Sequence, residues 1–282
     1  MEERLTITMD SVLDVPEEMI KKYNIKVIPI TLKIGNRIFT DGEISPKKMI
    51  EMFYDNNKEH ILTDPPSTED YYRFFTQQAH MGHTVLHLSA SSKVSAAYEN
   101  ARFAAETFNR VHVIDTKTVS IGGIPIIKKI IELHEQGKKA EEIAEYIRKD
   151  FYKKVHISVF LNTLDNLHAA GRIRPVGKFL VLFFGLKPSA YLDPDDYFIP
   201  DKKFKGEKAV INYLHFVLGK MKKAEREDFY FAHADCDSDY VKKCLSVIDE
   251  EGIFKNITVM NTGCSITSHF GKHFLMLCWT EK

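Results

Sequence analysis

The stretch Thr84–Phe108, TVLHLSASSKVSAAYENARFAAETF, decides the predicted fold because a strand, a hydroxyl-rich turn and a helix follow one another in it. The apolar run at 85–88 has strand length, small residues at 89–92 interrupt it, and apolar residues then recur at helical spacing. A helix start presents unpaired backbone N–H groups, so serines there predict a donor-rich site for a carboxylate or phosphate. The alternative is that Ser92 or Ser95 only caps the helix.

Strands alternate with helices over residues 1–150, which favours an open, mostly parallel α/β sheet. Leu5–Met9 alternates apolar and polar residues as a strand does, and Asp14 before Val15-Pro16 is typical of a capped helix start. In such sheets ligands bind beyond the carboxyl ends of the strands. The hydroxyl-bearing positions expected there are Ser11, the turn Ser91–Ser92, and Ser120.

The region between the first helix and the central strand adds a hairpin and a second hydroxyl position. Lys26–Ile34 is predicted as one strand and Arg37–Thr40 as its return strand. Thr63 precedes Pro65 and Pro66, which hold the backbone extended and remove two donors. Thr63 is therefore predicted on a stiff loop, which suits a ligand contact or a plain connector.

The pattern changes near Val155, where a strand, a β-hairpin, and then helices alternating with strands favour a second α/β domain. The predicted domains are 1–154 and 155–282. His269 is expected in a polar loop with its neighbours Ser265, Thr267 and Ser268, before a last apolar strand.

Composition limits the function classes. Lys plus Arg equals Asp plus Glu, 39 each, so no overall field attracts nucleic acid or an anionic membrane. The longest apolar runs, Phe179–Phe184 among them, are too short to cross a bilayer, and the N-terminus lacks the apolar core of a signal peptide. A cytoplasmic protein without an integral membrane segment is expected. The four cysteines lack CxxC spacing and are predicted to be free, buried thiols.

The chain has neither a GxxxxGK nor a GxGxxG phosphate loop, and GxSxG is also absent. The histidines show no HxH or HExxH spacing, so no metal site and no cofactor are predicted. His269 could still serve a serine as a general base, although a lone loop histidine is more often a surface residue.

Four groups of residues together resemble the DegV family, the bacterial fatty-acid-binding proteins. They are TMDSVLDVP (8–16), LTDPPS (62–67), SASSKVSAAYENA (89–101), and AAGRI (169–173) with a later KP and the histidine of TSHFG (267–271). The resemblance covers nearly the whole chain. It implies a two-domain α/β fold with a long-chain fatty acid between the domains, its carboxyl group near the interface and its acyl chain in an apolar tunnel.

Carried over position by position, the resemblance implies a set of ligand-binding residues: Thr63, Ser91, Ser92, Ser95, Arg172 and His269. It also implies a non-enzymatic role, in which the chain presents the fatty acid to a fatty acid kinase that forms acyl phosphate. The alternatives are an acyl or phosphoryl transfer enzyme using a serine and His269, or a carrier of another small anionic ligand. Lining candidates that could equally be ordinary core are Val94, Ile121, Ile124, Phe160, Phe183 and Phe184.

Two departures from the family pattern bear on these expectations. Asp64 follows Thr63 where the family has serine, and its charge would repel a ligand carboxylate if it faced inward, so we expect it to face solvent. The basic stretch Lys202–Lys205 has lysines where an arginine is usual. Lysine keeps the charge but not the bidentate geometry, which weakens the expectation of a kinase partner.

Overall fold

The computed structural model describes residues 4–55, 61–79, 82–162, 164, 166–167, 170–173 and 185–282. The chain divides into two compact units, and three residues near the C-terminus return to the first one. The first unit comprises Met1–Lys153 with Gly263–Ser265, and the second comprises Lys154–Thr262 with Ile266–Lys282. A linear boundary at Lys154 does not include this return, and the division into domains stays a prediction.

The elements follow one another in the α/β order that the sequence predicts. The strands are β1 (Leu5–Asp10), β2 (Lys26–Ile28), β3 (Thr31–Ile34), β4 (Arg37–Thr40), β5 (Ile61–Asp64), β6 (Thr84–Ser89), β7 (Val111–Asp115), β8 (Val155–Phe160), β9 (Leu186–Leu192), β10 (Phe198–Lys205), β11 (Asp228–His233), β12 (Asn256–Asn261) and β13 (Leu275–Thr280). The α-helices are α1 (Glu17–Lys22), α2 (Pro46–Asp55), α3 (Thr68–Ala79), α4 (Ala97–Ala105), α5 (Gly123–Glu135), α6 (Ala140–Lys149), α7 (Ala209–Leu218), α8 (Ser238–Glu250) and α9 (Cys264–Phe270). Short 3-10 helices lie at Ser120–Gly122 and Phe151–Lys154.

A four-stranded parallel sheet in the order β2-β1-β6-β7 forms the centre of the first unit. All six residues of β6 are buried, as expected for an inner strand of a parallel sheet covered by helices. Tyr71 and Phe75 of α3 pack with Val85 of β6 and with the alanines of α4. The predicted α/β class with a mostly parallel first sheet is confirmed.

The prediction that Lys26–Ile34 forms one strand is wrong. The chain leaves the parallel sheet after β2 and enters a separate antiparallel sheet, β4-β3-β5, as β3. Pro29 lies at the change, and its missing N–H cannot continue a ladder. The predicted return strand Arg37–Thr40 is confirmed as β4, and α2 begins at Pro46, where the Ser45 hydroxyl accepts from Lys48 N at 3.2 Å.

The second unit contains a six-stranded mixed sheet in the order β10-β9-β8-β13-β11-β12. The predicted hairpin is confirmed as the antiparallel pair β9 and β10, and the predicted last strand as β13. Tyr213 of α7 is buried in the core of this unit, and its ring stacks on Phe160 with 4.9 Å between centroids. Phe160 therefore belongs to packed core, whereas Phe183 and Phe184 lie outside the described residues.

The expected polar loop around His269 is a helix in the structure. Residues 264–270 form α9, so Ser265, Thr267, Ser268 and His269 are helical. The four cysteines are free thiols, and Cys236 is only partly buried. Within the described ranges, no helix is long and apolar enough to cross a bilayer.

Candidate functional site

The strand order of the first sheet places a switch point between β1 and β6. The chain leaves β1 toward β2 on one side and leaves β6 toward β7 on the other. The two connections therefore diverge where Asp10-Ser11 and Ser89–Ser92 follow their strands. A crevice at the carboxyl ends of the strands is expected at such a point, and it is where open α/β sheets bind ligands.

Asp10 fixes the start of the loop after β6. It is fully buried, and its carboxylate accepts hydrogen bonds from Tyr71 Oη at 2.5 Å, Ser89 Oγ at 2.7 Å and Ala90 N at 2.9 Å. His87 Nε2 lies 3.2 Å from Oδ1, and Thr8 Oγ1 lies 2.9 Å from the other ring nitrogen. Burial raises the pKa of Asp10, but the interactions with His87, Tyr71 and Ser89 outweigh it and bring the pKa below its ordinary value.

The serine turn uses its backbone N–H groups internally. Ser91 N donates to Thr118 O at 2.9 Å, and the N–H groups of Val94 and Ser95 donate to Ser91 O. Helix α4 begins at Ala97, whose N–H donates to Ser95 Oγ at 3.2 Å. Ser95, and not Ser92, therefore supports the helix start, and the N–H groups of Ser91, Ser92, Val94 and Ser95 are bonded within the protein. The donors that the turn can offer a ligand are therefore the hydroxyl protons of its serines.

A carboxylate and a lysine lie beside Ser92. Asp115, at the end of β7, accepts from Ser92 N at 3.1 Å and from Lys117 N at 3.2 Å. Lys117 Nζ lies 3.0 Å from Asp115 Oδ2 and 3.4 Å from Ser92 Oγ. The lysine thus offsets a mostly buried negative charge next to the hydroxyl that the sequence assigns to a ligand carboxylate. A hydroxyl oxygen that accepts from Lys117 still has its own proton to donate.

The sequence predicted that Asp14 caps α1. In the structure Asp14 instead contacts two distant loops. It is almost wholly buried and accepts from Ser120 Oγ and, at 2.7 Å, from Gly263 N. A Cβ on Gly263 would lie 2.8 Å from Asp14 Oδ1, so a side chain at this position would require the Asp14 carboxylate to move. Burial raises the pKa of Asp14 to about 7, with a further contribution from the charge of Asp41.

Asp41 holds the same C-terminal segment at Ser265. It accepts from Ser11 Oγ at 2.9 Å and from Ser265 N at 3.4 Å, and burial raises its pKa. Ser11 therefore donates to Asp41, and its oxygen accepts from Ile30 N at 3.1 Å, just after β2 ends. Its hydroxyl proton is used within the protein.

Thr63 lies within strand β5 and not on a loop before the prolines. It is half-buried and pairs with Leu32, on the face that packs against α2. Asp64 points to the opposite face because side chains alternate along a strand. Its carboxylate is exposed and lies 2.5 Å from Lys33 Nζ. The expectation that Asp64 faces solvent is met, so its charge does not share the face of Thr63.

Two predicted site residues belong to the second unit. His269 lies in the last turn of α9, and burial, followed by the charge of Arg172, lowers its pKa to about 4. Arg172 donates from Nη1 to the carbonyl oxygen of Ala170. The imidazole is neutral at pH 7, where a group of such low pKa is a weak general base but a competent hydrogen-bond donor.

The predicted site residues thus form two groups, one in the first unit and the other, Arg172 and His269, in the second. Ser91, Ser92 and Ser95 share one turn, and Asn100 of α4 donates to Pro66 O at 2.9 Å, which ties this helix to the loop after Thr63. The lining candidates Ile121 and Ile124 are buried and Val94 is half-buried. Among the described residues, no cluster of three or more His, Cys, Asp or Glu could hold a metal ion.

Sequence reasoning missed the carboxylates that organise this site: Asp10, Asp14, Asp41 and Asp115. A signal for two of them existed, since Asp10 and Asp115 each stand at the end of an apolar strand. Polar residues at the carboxyl end of a buried strand are where a parallel sheet carries function. No local pattern could have paired Asp14 with Gly263.

Fold and site together define a class: a two-unit α/β protein whose parallel sheet carries hydroxyl groups, buried carboxylates and Lys117 at its switch point. A model described as "Uncharacterised protein, DegV family" matches residues 4–282. The chain belongs to the DegV family.

Related proteins extend over the whole chain. A fatty-acid-binding DegV family protein from Thermus thermophilus has 25% identity and a TM-score of 0.88, and the match covers 99% of this chain and 100% of that one. A DegV domain-containing protein of Clostridium perfringens is 25% identical over 95% of this chain and 94% of its own length. DegV of Bacillus subtilis, described as a fatty acid binding protein, has 19% identity and a TM-score of 0.84, with 100% of both chains covered, and shows the fold.

Proposed function

We propose that this chain binds a long-chain fatty acid and holds its carboxyl group with the hydroxyl groups of the serine turn and of Thr63. The observation that carries the proposal is the position of Ser91 and Ser92 at the switch point of the parallel sheet. The fatty-acid-binding relatives in the same family support the choice of ligand. The resemblance adds Ser95, Arg172 and His269 to these contacts, and the proposal includes them on that basis.

The chemistry of the site suits a carboxylate that must be held and later released. Burial of a carboxylate is unfavourable unless several donors meet it, and the hydroxyl protons supply such donors. The acyl chain supplies the larger share of binding, since each buried CH₂ contributes about 0.8 kcal/mol. A few polar contacts are then enough to orient the head group.

Presentation of the bound fatty acid to a kinase is the second part of the proposal. It rests on the family resemblance, and the lysines of β10 keep the positive charge, although not the bidentate geometry, of the arginine that the resemblance implies there. Incubation of the loaded chain with a fatty acid kinase and ATP should give acyl phosphate, trapped by hydroxylamine as the hydroxamate. If no hydroxamate forms with any kinase tested, this part fails and lipid binding stands.

Mass spectrometry of the purified chain tests the binding itself. We expect free fatty acid in the organic extract and an unmodified chain mass under denaturing conditions. Ser92→Ala should lower lipid occupancy, because one donor to the carboxylate is lost, whereas Ser246→Ala is a matched control. The Ser246 hydroxyl is exposed and donates to Lys243 O in α8 of the second unit.

Two results would contradict the carrier. An acyl group attached covalently to the chain would favour the serine-dependent enzyme. Stripped protein that fails to bind added palmitate would leave fatty acid binding without support.

A further inference from the structure

One buried hydroxyl at the switch point lacks the partner that its neighbours have. Among the described residues, Thr118 Oγ1 makes no hydrogen bond, and Thr118 is only 2% exposed. The buried hydroxyls around it are all bonded. Ser89 donates to Asp10, Thr116 donates to Ser89 O, Ser120 donates to Asp14, and Ser91 Oγ accepts from Lys93 N.

An unpaired buried hydroxyl calls for an explanation, because a buried polar group without a partner destabilises the fold. Valine has nearly the shape of threonine and would fill the same space without this penalty. Packing alone therefore gives no reason for the hydroxyl at position 118. A partner that is absent from the polypeptide gives one.

The backbone holds Thr118 against the serine turn. Its carbonyl oxygen accepts from Ser91 N at 2.9 Å and from Thr116 Oγ1 at 3.3 Å. Lys117 and Ser120 on either side have positive φ, 54° and 51°, which non-glycine residues adopt only where the surroundings enforce it. The segment is thus fixed across the end of the sheet, directly beside the turn proposed to meet the ligand.

We propose that the Thr118 hydroxyl is a further donor to the head group of the bound fatty acid. This inference rests on the proposed function and adds to it a residue that the sequence resemblance does not include. When the acid binds, the O–H of Thr118 donates to a carboxyl oxygen, so the same hydroxyl changes from unpaired to paired. Thr118 then favours the loaded form over the empty form.

The test is the pair Thr118→Val and Thr118→Ser in stripped protein, titrated with palmitate and also melted without ligand. We expect Thr118→Val to weaken palmitate binding about tenfold, because a hydrogen bond to a charged group is lost. Its ligand-free melting temperature should stay equal or rise, because the unpaired hydroxyl is gone. Thr118→Ser keeps the donor and should bind palmitate within about threefold of the native chain.

Thr280→Val is a control in the second unit, where the hydroxyl donates to Glu225 at 2.8 Å. It should lower the melting temperature and leave palmitate binding unchanged. If Thr118→Val binds palmitate as tightly as the native chain, or if both 118 variants lose binding equally, the inference is overturned while the proposed function stands. If the native chain itself binds no palmitate, the proposed function has failed.

Discussion

Two buried aspartates, four positions apart in the first unit, have pKa values shifted in opposite directions. Asp10 accepts from Tyr71, Ser89 and Ala90 N, and its pKa lies below the ordinary value. Asp14 accepts from Ser120 and Gly263 N, has the charge of Asp41 nearby, and has a pKa raised to about 7. Burial acts on both alike, so the surrounding donors and charges decide the direction.

The difference separates two kinds of structural role. Asp10 remains charged over the physiological range, and it anchors the strand ends that carry the serine turn. Asp14 changes its charge near neutral pH, and it holds Gly263, which lies 249 positions away in the sequence. The contacts of Asp10 are therefore independent of pH near neutrality, whereas the contact between Asp14 and Gly263 depends on pH.

The largest expected loss of stability is that of Asp10→Asn. The Nδ2 group of asparagine would face the N–H of Ala90 or the hydroxyl of Tyr71, donor against donor. Buried donors without acceptors cost about 1–3 kcal/mol each, so we expect a loss of about 3 kcal/mol in the free energy of unfolding. Urea unfolding followed by circular dichroism measures it at pH 7.

Asp239→Asn is the control for that substitution, because the Asp239 side chain is exposed on α8. Surface changes of this kind stay within about 0.5 kcal/mol. If Asp10→Asn were no more destabilising than Asp239→Asn, the interpretation of Asp10 as the anchor would be wrong.

A second prediction uses the pH dependence of Asp14. A carboxyl group whose pKa is raised on folding stabilises the protein at low pH, and this contribution is lost as the pH rises from about 4 to about 7. Asparagine resembles the protonated acid, so Asp14→Asn should gain stability relative to the native chain over this range, by up to about 1.4 kcal/mol per pH unit.

Unfolding free energies of both proteins between pH 5 and pH 8 measure the effect. Groups such as His269, whose pKa is lowered, are present in both proteins, and their contribution cancels in the difference. Stability curves that run parallel from pH 5 to pH 8 would show that Asp14 keeps an ordinary pKa.

The sequence predicted the parts of this site that follow from local patterns. Alternation of strands and helices gave the α/β class, and the interruption after Leu88 gave the serine turn. The roles of Asp14 and Gly263 could not be predicted, because they depend on contacts between distant segments. The helix at 264–270 was missed because its hydroxyl-rich sequence is equally typical of a loop.

Residues carried over from the family belong neither to the parts predicted from local patterns nor to the contacts that could not be predicted. Thr63 was assigned by resemblance, and its strand position and the outward face of Asp64 follow from the register with Leu32. Register depends on pairing between strands and could not be read from the local proline pattern. The structure therefore explains how an acid can follow Thr63 without facing the same side.

The smallest expected effect concerns a third buried carboxylate, Asp115, whose charge is offset by Lys117 at 3.0 Å. In Lys117→Met this charge stays beside Ser92 without its cation. Two like charges about 6 Å apart in a partly solvated site repel by roughly 1.4 kcal/mol at an effective dielectric constant of about 40. Palmitate binding should therefore weaken about tenfold, and Lys117→Arg should restore most of it.

Binding of hexadecan-1-ol distinguishes an effect of Lys117 on the charge of the ligand from an effect on the structure of the site. It has the same chain length as palmitate but no carboxylate, so Lys117→Met should bind it as the native chain does. The palmitate effect should also diminish as salt is raised, because Lys117 is about one-fifth exposed and its interactions are partly screened. An equal loss for palmitate and hexadecan-1-ol would mean that Lys117 only supports the loop after β7, and Asp115 would then belong with Asp10 as an anchor.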